Sequence, residues 1–157
     1  MVESAKNSKA RFGVMETIPT TRGVVRCSDA HGANERAENI AIAKYFAEKY
    51  GYEIDLLPVA FNEVSADVYN KTLNIKQEYK TNRTPTKGAI DNVLRKASFQ
   101  AKHIVLHVQS DIPNDQLRRG IKGRVKWAKS IQTVTILRGG QDKTYTRKEI
   151  LHDDFEP

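Results

Sequence analysis

The sequence predicts a single α/β domain with a mixed central β-sheet, a β-hairpin carrying the candidate site, and about three flanking helices. Three observations predict it. Helix-period apolar stripes alternate along the chain with short strand-like runs, in the order helix, strand, hairpin, helix, strand, helix, hairpin. At 157 residues, 39% hydrophobic and 29% charged, the chain can bury one core under a polar surface. No apolar run approaches the roughly 20 residues a bilayer span needs, and no signal-peptide h-region is visible. A cytoplasmic chain is therefore expected, with export by a specialised route or as part of a longer chain left open.

Met1 to Phe12 is polar, basic and aperiodic and reads as a flexible arm (residues 1–12) before the folded domain, residues 13–151. Gly13 to Ser28 alternates weakly, with a short strand at Gly23 to Arg26. Asn34 is a good N-cap for a helix running to Tyr50, and Gly51 a good stop. Glu35, Glu38, Ile42, Tyr45 and Phe46 recur at spacings of three and four, so two carboxylates head an inward stripe. The plainer reading is that first-turn acids meet the positive end of the helix dipole. Tyr52 to Ala60 reads as the first core strand, ended by Pro58, with a loop at Phe61 to Ser65.

After the hairpin, Thr86 can cap a helix to about Lys102, with Ile90, Val93, Leu94, Ala97 and Ala101 on its apolar stripe and Arg95 and Gln100 beside it. Ile104 to Val108 is a continuous apolar run, typical of a buried, parallel strand. A third helix, about Asn114 to Lys129, would bury Leu117, Ile121, Val125 and Ala128, and Gly120 and Gly123 weaken it. Ile131 to Leu137 and Lys143 to Arg147 close the domain as a hairpin over Gly139-Gly140-Gln141-Asp142. Residues 152–157 read as a frayed acidic tail.

The net charge of +7 favours a polyanionic partner, nucleic acid or an anionic surface. Arg118, Arg119, Lys122, Arg124, Lys126 and Lys129 crowd one helix, and the phosphate-facing reading competes with that of a solvated face. The single cysteine, Cys27, excludes an internal disulfide framework and a multi-cysteine zinc site, and suits a buried apolar position.

Chemistry concentrates in Ala66 to Lys80. A two-residue loop at Asn70-Lys71 would pair Tyr69 with Thr72, Val68 with Leu73 and Asp67 with Asn74. Asp67, Asn74 and Lys76 then share one polar face, opposite Val68, Leu73 and Ile75. A carboxylate, an amide oxygen and an ammonium on one patch suit metal-assisted phosphodiester cleavage, although any amphipathic hairpin has a polar face.

The order Glu38, Asp67, Asn74-Ile75-Lys76 resembles the PD-(D/E)xK nuclease arrangement. Three segments, AENIAIAKYFAEKYGYEIDLLP (37–58), SADVYNKTLNIK (65–76) and PTKGAIDNVLRKASFQAKHIVL (85–106), resemble the C-terminal tRNase domains of CdiA contact-dependent growth-inhibition toxins. The resemblance implies catalytic or metal-binding roles for Glu38, Asp67 and Lys76, and a supporting role for Gln100. Asn74 departs from the pattern, standing where an acid is usual, and an amide is a weaker metal ligand.

These readings converge on a nuclease, with RNA, and tRNA in particular, expected by resemblance. A divalent cation, Mg²⁺, would be held by Glu38, Asp67 and Asn74, with Lys76 orienting water or stabilising charge and Glu35 and Arg95 in support. One alternative is a metal-independent, barnase- or EndoU-like RNase using His31, His103 or His107 with Arg95 or Lys76. Another is a non-catalytic nucleic-acid-binding domain. Few aromatics lie in the basic run, so stacking on single strands is not expected. As a toxin delivered into a target-cell cytosol, the protein would meet an acidic immunity protein.

Overall fold

A computed structural model describes residues 14–59 and 66–157. The expected arm (1–12), Gly13, the end of the first core strand at Ala60 and the loop at 61–65 lie outside the described residues. The class is α/β with mixed β-pairing, as expected. The chain divides into two compact units, Met1–Lys76 and Gln77–Pro157.

In the first unit, β1 (Met15–Ile18) pairs antiparallel with β2 (Val24–Ser28). Helix α1 (Arg36–Tyr50) leads to β3 (Glu53–Leu56), which lies parallel to β2, and β4 (Val68–Asn70) pairs antiparallel with β3. The registers Val25↔Ile54, Cys27↔Leu56, Ile54↔Asn70 and Leu56↔Val68 put these residues on one sheet face, and all are buried. Helix α1 covers that face with Ile42, Ala43, Phe46 and Ala47. Cys27 is buried there, as its type suggested. The helix starts two residues after Asn34: Glu35 holds the N-cap position with no side-chain cap bond, while Arg36 donates to the Ser28 carbonyl at 2.7 Å. At the other end Gly51 takes the left-handed conformation, φ 73°, and its N–H reaches the Ala47 carbonyl. The buried stripe includes Asn39, while Glu38 and Tyr45 flank it half-buried.

The 66–80 hairpin differs from the expected register. Its turn spans residues 71–74, and β5 begins only at Ile75 and runs to Asn82. Side chains rather than strand pairing set this turn. The Asn70 Oδ1 accepts from the Leu73 N–H (2.9 Å), and the Thr72 hydroxyl accepts from the Glu53 N–H (2.9 Å). Asn74 sits at φ 56°. The pairs Tyr69–Thr72, Val68–Leu73 and Asp67–Asn74 therefore do not form a ladder, and Leu73 is exposed.

In the second unit, β5, β6 (His103–Val108) and β7 (Thr133–Arg138) are parallel, and β8 (Gln141–Thr146) closes antiparallel on β7. Helices α2 (Lys87–Ser98) and α3 (Asn114–Trp127) pack together and, with Ile104, Leu106, Val134 and Ile136, form a buried core. Each fully buried Ile or Leu there contributes about 1.5–3 kcal/mol. Thr86 caps α2 by accepting from the Ala89 N–H. That helix ends at Ser98, short of Lys102, where the Ser98 hydroxyl donates to the Arg95 carbonyl (2.6 Å). The last hairpin turns tightly on Gly139-Gly140, φ 58° and 74°, so Gln141 and Asp142 belong to the strand. The expected frayed tail is packed instead: α4 (Arg147–Leu151) carries a Thr146/Glu149 capping box, and Ile150 and Phe155 enter the core.

Gly120 is where α3 meets α2. A Cβ there would lie 2.8 Å from Ile90 Cβ and Cγ2, and 3.0 Å from the Lys87 carbonyl oxygen. Gly120→Ala is expected to cost about 1–3 kcal/mol by overpacking, less roughly 1 kcal/mol returned by helix propensity. The check is a urea midpoint that falls at constant slope. A raised midpoint would show that the two helices move apart freely, leaving only the gain in helix propensity.

Candidate functional site

The expected site residues of the first unit occupy α1, the approach to β4, and the hairpin turn. Glu35 and Glu38 are half-buried at the start of α1, and Asp67 is half-buried just before β4, where its carbonyl accepts from the Leu57 N–H (2.7 Å). Lys76 is exposed near the start of β5. Asn74 does not share a strand face with Asp67. It stands in the turn, where its Oδ1 accepts a 2.6 Å hydrogen bond from the Tyr69 hydroxyl. That bond occupies the oxygen expected to reach a cation.

Sequence reasoning missed a polar layer on the sheet face away from α1. Arg26 donates to Asp55 at 2.8 Å and lies 3.4 Å from Glu53, which is 3.9 Å from the Lys71 ammonium. The hydrogen bond to Asp55 raises the Arg26 pKa above its ordinary value. The register Arg26↔Asp55 was the available signal, but it required knowing that β2 and β3 run parallel.

His31 is removed from the list of catalytic bases. It is 4% exposed, with Nδ1 at 2.6 Å from the Leu57 carbonyl and Nε2 at 2.9 Å from the Asn39 amide nitrogen. Both ring nitrogens are occupied, so the ring ties α1 to the segment after β3. His103 is half-buried with Nδ1 against Thr133 (2.8 Å), and burial, then Lys102, lowers its pKa. His107 is also half-buried.

In the second unit a stronger charged pair appears. Lys76, Glu78 and Lys80 alternate along one face of β5. Through the registers Glu78↔Ile104 and Lys80↔Leu106, that face is the one α2 and α3 cover. Glu78 is fully buried, and the Lys80 ammonium lies 3.2 Å from its Oε2 with its side chain 15% exposed. An ion pair taken out of water is costly, and such pairs concentrate at functional sites. Its sequence signal is Glu78-Tyr79-Lys80, an acid-x-lysine spacing four residues beyond the one expected at Asn74-Ile75-Lys76.

Arg95 is exposed and donates to Asn92, while the Gln100 Oε1 is buried with no hydrogen-bond partner. The six cations do not form one free phosphate-facing surface. Arg124 makes a two-point contact with Asp91 (2.9 and 3.1 Å), which lowers the Asp91 pKa. Lys122 donates to the His152 carbonyl, and Arg118 lies 3.9 Å from Glu156. Arg119, Lys126 and Lys129 are exposed.

Among the described residues, no three His, Cys, Asp or Glu side chains gather in a way that would hold a metal ion. The donor set is thus no all-protein cage. Glu38 and Asp67 are each half-buried carboxylates of the first unit. No helix among the described residues is long and apolar enough to cross a membrane.

Residues 73–141 match the family model of the contact-dependent growth inhibition CdiA C-terminal domain. The fold is similar to that of a chain in the CdiA-CT/CdiI toxin and immunity complex from Burkholderia pseudomallei. The TM-score is 0.55 at 15% identity, covering 83% of this chain and 94% of that one, so the likeness is one of fold. No curated protein matches the chain.

Proposed function

We propose that this chain, a toxin domain of the CdiA C-terminal kind, is a nuclease that cleaves phosphodiester bonds in RNA, with tRNA the leading substrate. The observation that carries the reading is the Glu78–Lys80 pair: a wholly buried carboxylate holding a lysine whose side chain is still 15% exposed. A structural strand has little use for such a pair, whereas a phosphoryl-transfer site needs a fixed cation. The structural neighbour is named as a toxin and immunity complex, and the net charge of +7 suits an acidic immunity protein here.

In hydrolysis, a water oxygen attacks phosphorus in line as the bond to the leaving oxygen breaks. The attacking water loses its proton to a base, and the leaving oxygen gains one. Lys80, whose ammonium lies 3.2 Å from the Glu78 carboxylate, stabilises the growing negative charge on the phosphoryl oxygens. Lys76, exposed on the same strand face, binds the phosphate. Within the first unit, taken by itself, Glu38 and Asp67 are the carboxylates that would hold Mg²⁺, which when bound lowers the pKa of water and neutralises phosphate charge. Glu35 would support Glu38, and Asn74, already bonded to Tyr69, would assist only weakly. In this reading the protein acts in the target-cell cytosol after delivery.

The test is incubation of purified protein with total tRNA and with plasmid DNA, with and without EDTA. Discrete tRNA fragments that disappear in EDTA are expected. Cleavage persisting in EDTA would move the chemistry to a metal-free mechanism with His103 or His107. Binding without cleavage of either substrate would overturn the enzymatic reading.

A further inference from the structure

We propose that the C-terminal ends of α2 and α3 form a stacking platform for an unpaired stretch of nucleic acid, with Phe99 and Trp127 taking base faces and Lys96, Lys102, Lys126 and Lys129 taking phosphates. The ligand class rests on the nuclease reading above; the platform rests on its own geometry.

Trp127 is 76% exposed and Phe99 69% exposed, the two most exposed large hydrophobic side chains among the described residues. A single exposed apolar residue is ordinary. These two stand at the same end of a helix pair. The helices run side by side in the same direction: Gly120 abuts Ile90, Arg124 binds Asp91, and the Ser130 hydroxyl donates to the Ser98 carbonyl at 3.1 Å. Phe99 caps α2 and Trp127 is the last residue of α3, so both exposed residues stand at the C-terminal end of the helix pair.

Charge around them has one sign. Lys96, Lys102, Lys126 and Lys129 are all exposed. No Asp or Glu occurs from Lys96 to Ser110 or from Gln116 to Gln141. Acids that would repel a phosphate backbone are therefore missing from both contributing segments. Exposed aromatic faces set among lysines bind unpaired bases in a sequence-tolerant, salt-dependent way.

The Trp127 end is also built rather than frayed. The Arg147 guanidinium donates to the Ala128 (3.0 Å), Ile131 (3.3 Å) and Lys126 (3.4 Å) carbonyls, closing the C-terminus of α3. Holding the main chain around Trp127 in place before binding lowers the ordering cost of stacking. The contrast with the sequence expectation is spatial. Phe99 lies outside the basic helix, and only the fold brings it to the same end of the helix pair as Trp127.

Trp127 is the chain's single tryptophan, so its emission reports on the platform directly. The titrant is a 2′-O-methyl RNA strand of about 12 nucleotides, within the usual site size, against its own duplex, all in EDTA. Saturable quenching by the single strand, with much weaker quenching by the duplex, is expected. Phe99→Ala should lower single-strand affinity by roughly 5- to 100-fold without changing the melting temperature, and Trp127→Phe should retain more affinity than Trp127→Ala in an anisotropy assay. No quenching, equal quenching by the duplex, or an unaffected Phe99→Ala protein would overturn the platform. Poly-L-glutamate or phosphatidylserine vesicles quenching as strongly as the strand would reassign the patch to a protein or a membrane. Cleavage of tRNA without quenching would refute the platform alone, and quenching without cleavage would refute the nuclease reading alone.

Discussion

Lys80→Met is expected to slow the proposed cleavage severely and to destabilise the fold, and a second substitution separates the two effects. Glu78 is fully buried and Lys80 is its ion-pair partner at 3.2 Å, so removing the ammonium breaks a buried pair. Such a break costs about 3–5 kcal/mol, because a carboxylate stays behind in a low-dielectric interior. Loss of a fixed cation at the phosphoryl group costs roughly 10²- to 10³-fold in rate. Glu78→Gln in the same protein removes the stranded charge and should restore much of the stability. It cannot restore the cation, so cleavage should stay severely slowed. Denaturant midpoints and tRNA cleavage rates on the single and double variants give the answer. A double variant that regains both stability and cleavage would make the pair purely structural and return the catalytic lysine to Lys76.

That pair shows why the site was only partly legible in the sequence. Along β5 the even-numbered residues, Lys76, Glu78 and Lys80, are charged, and the odd-numbered face carries Tyr79, so alternation marks the charged face as the outward one. The fold instead covers both faces, with Glu78 0% and Tyr79 1% exposed. The register with Ile104 and Leu106 places Glu78 and Lys80 on the face covered by α2 and α3. Which face of a strand is covered depends on neighbours distant in sequence, and period two alone cannot supply it.

Elements with strong local periodicity were legible. The Ile90, Leu94 and Ala97 stripe of α2, its Thr86 cap and the parallel strand at His103–Val108 all appear as read. Where a side chain replaced a backbone partner, reading failed. Asn70 and Thr72 build a turn that displaced the hairpin register. The basic helix misled for a related reason: charge density is visible in sequence, but the Arg124–Asp91 contact and the Lys122 contact with the His152 carbonyl join residues about 30 positions apart. What read as one phosphate-facing surface is in part internal cross-linking.

The C-terminal segment is the other place where composition pointed the wrong way, and it carries a stability prediction as large as that for the buried pair. Residues 152–157 are mostly acidic or polar, with Phe155 the one large apolar side chain. Phe155 is 4% exposed, stacks edge-on against Tyr145 at 5.1 Å and 86°, and belongs to the core of the second unit. Two main-chain anchors hold it: the Phe155 N–H donates to the His152 carbonyl (3.1 Å), and the Tyr145 hydroxyl donates to the Glu156 carbonyl (3.0 Å). Phe155→Ala removes a buried ring and leaves a cavity beside Tyr145, which is expected to cost about 3–5 kcal/mol. Against a typical total of roughly 5–15 kcal/mol, that loss approaches unfolding. Phe155→Leu should fall between the two, since it keeps most of the volume and loses the ring contact. Urea denaturation followed by circular dichroism measures both. A loss below about 1 kcal/mol for Phe155→Ala would mean the segment detaches in solution, because a surface substitution costs no more than that.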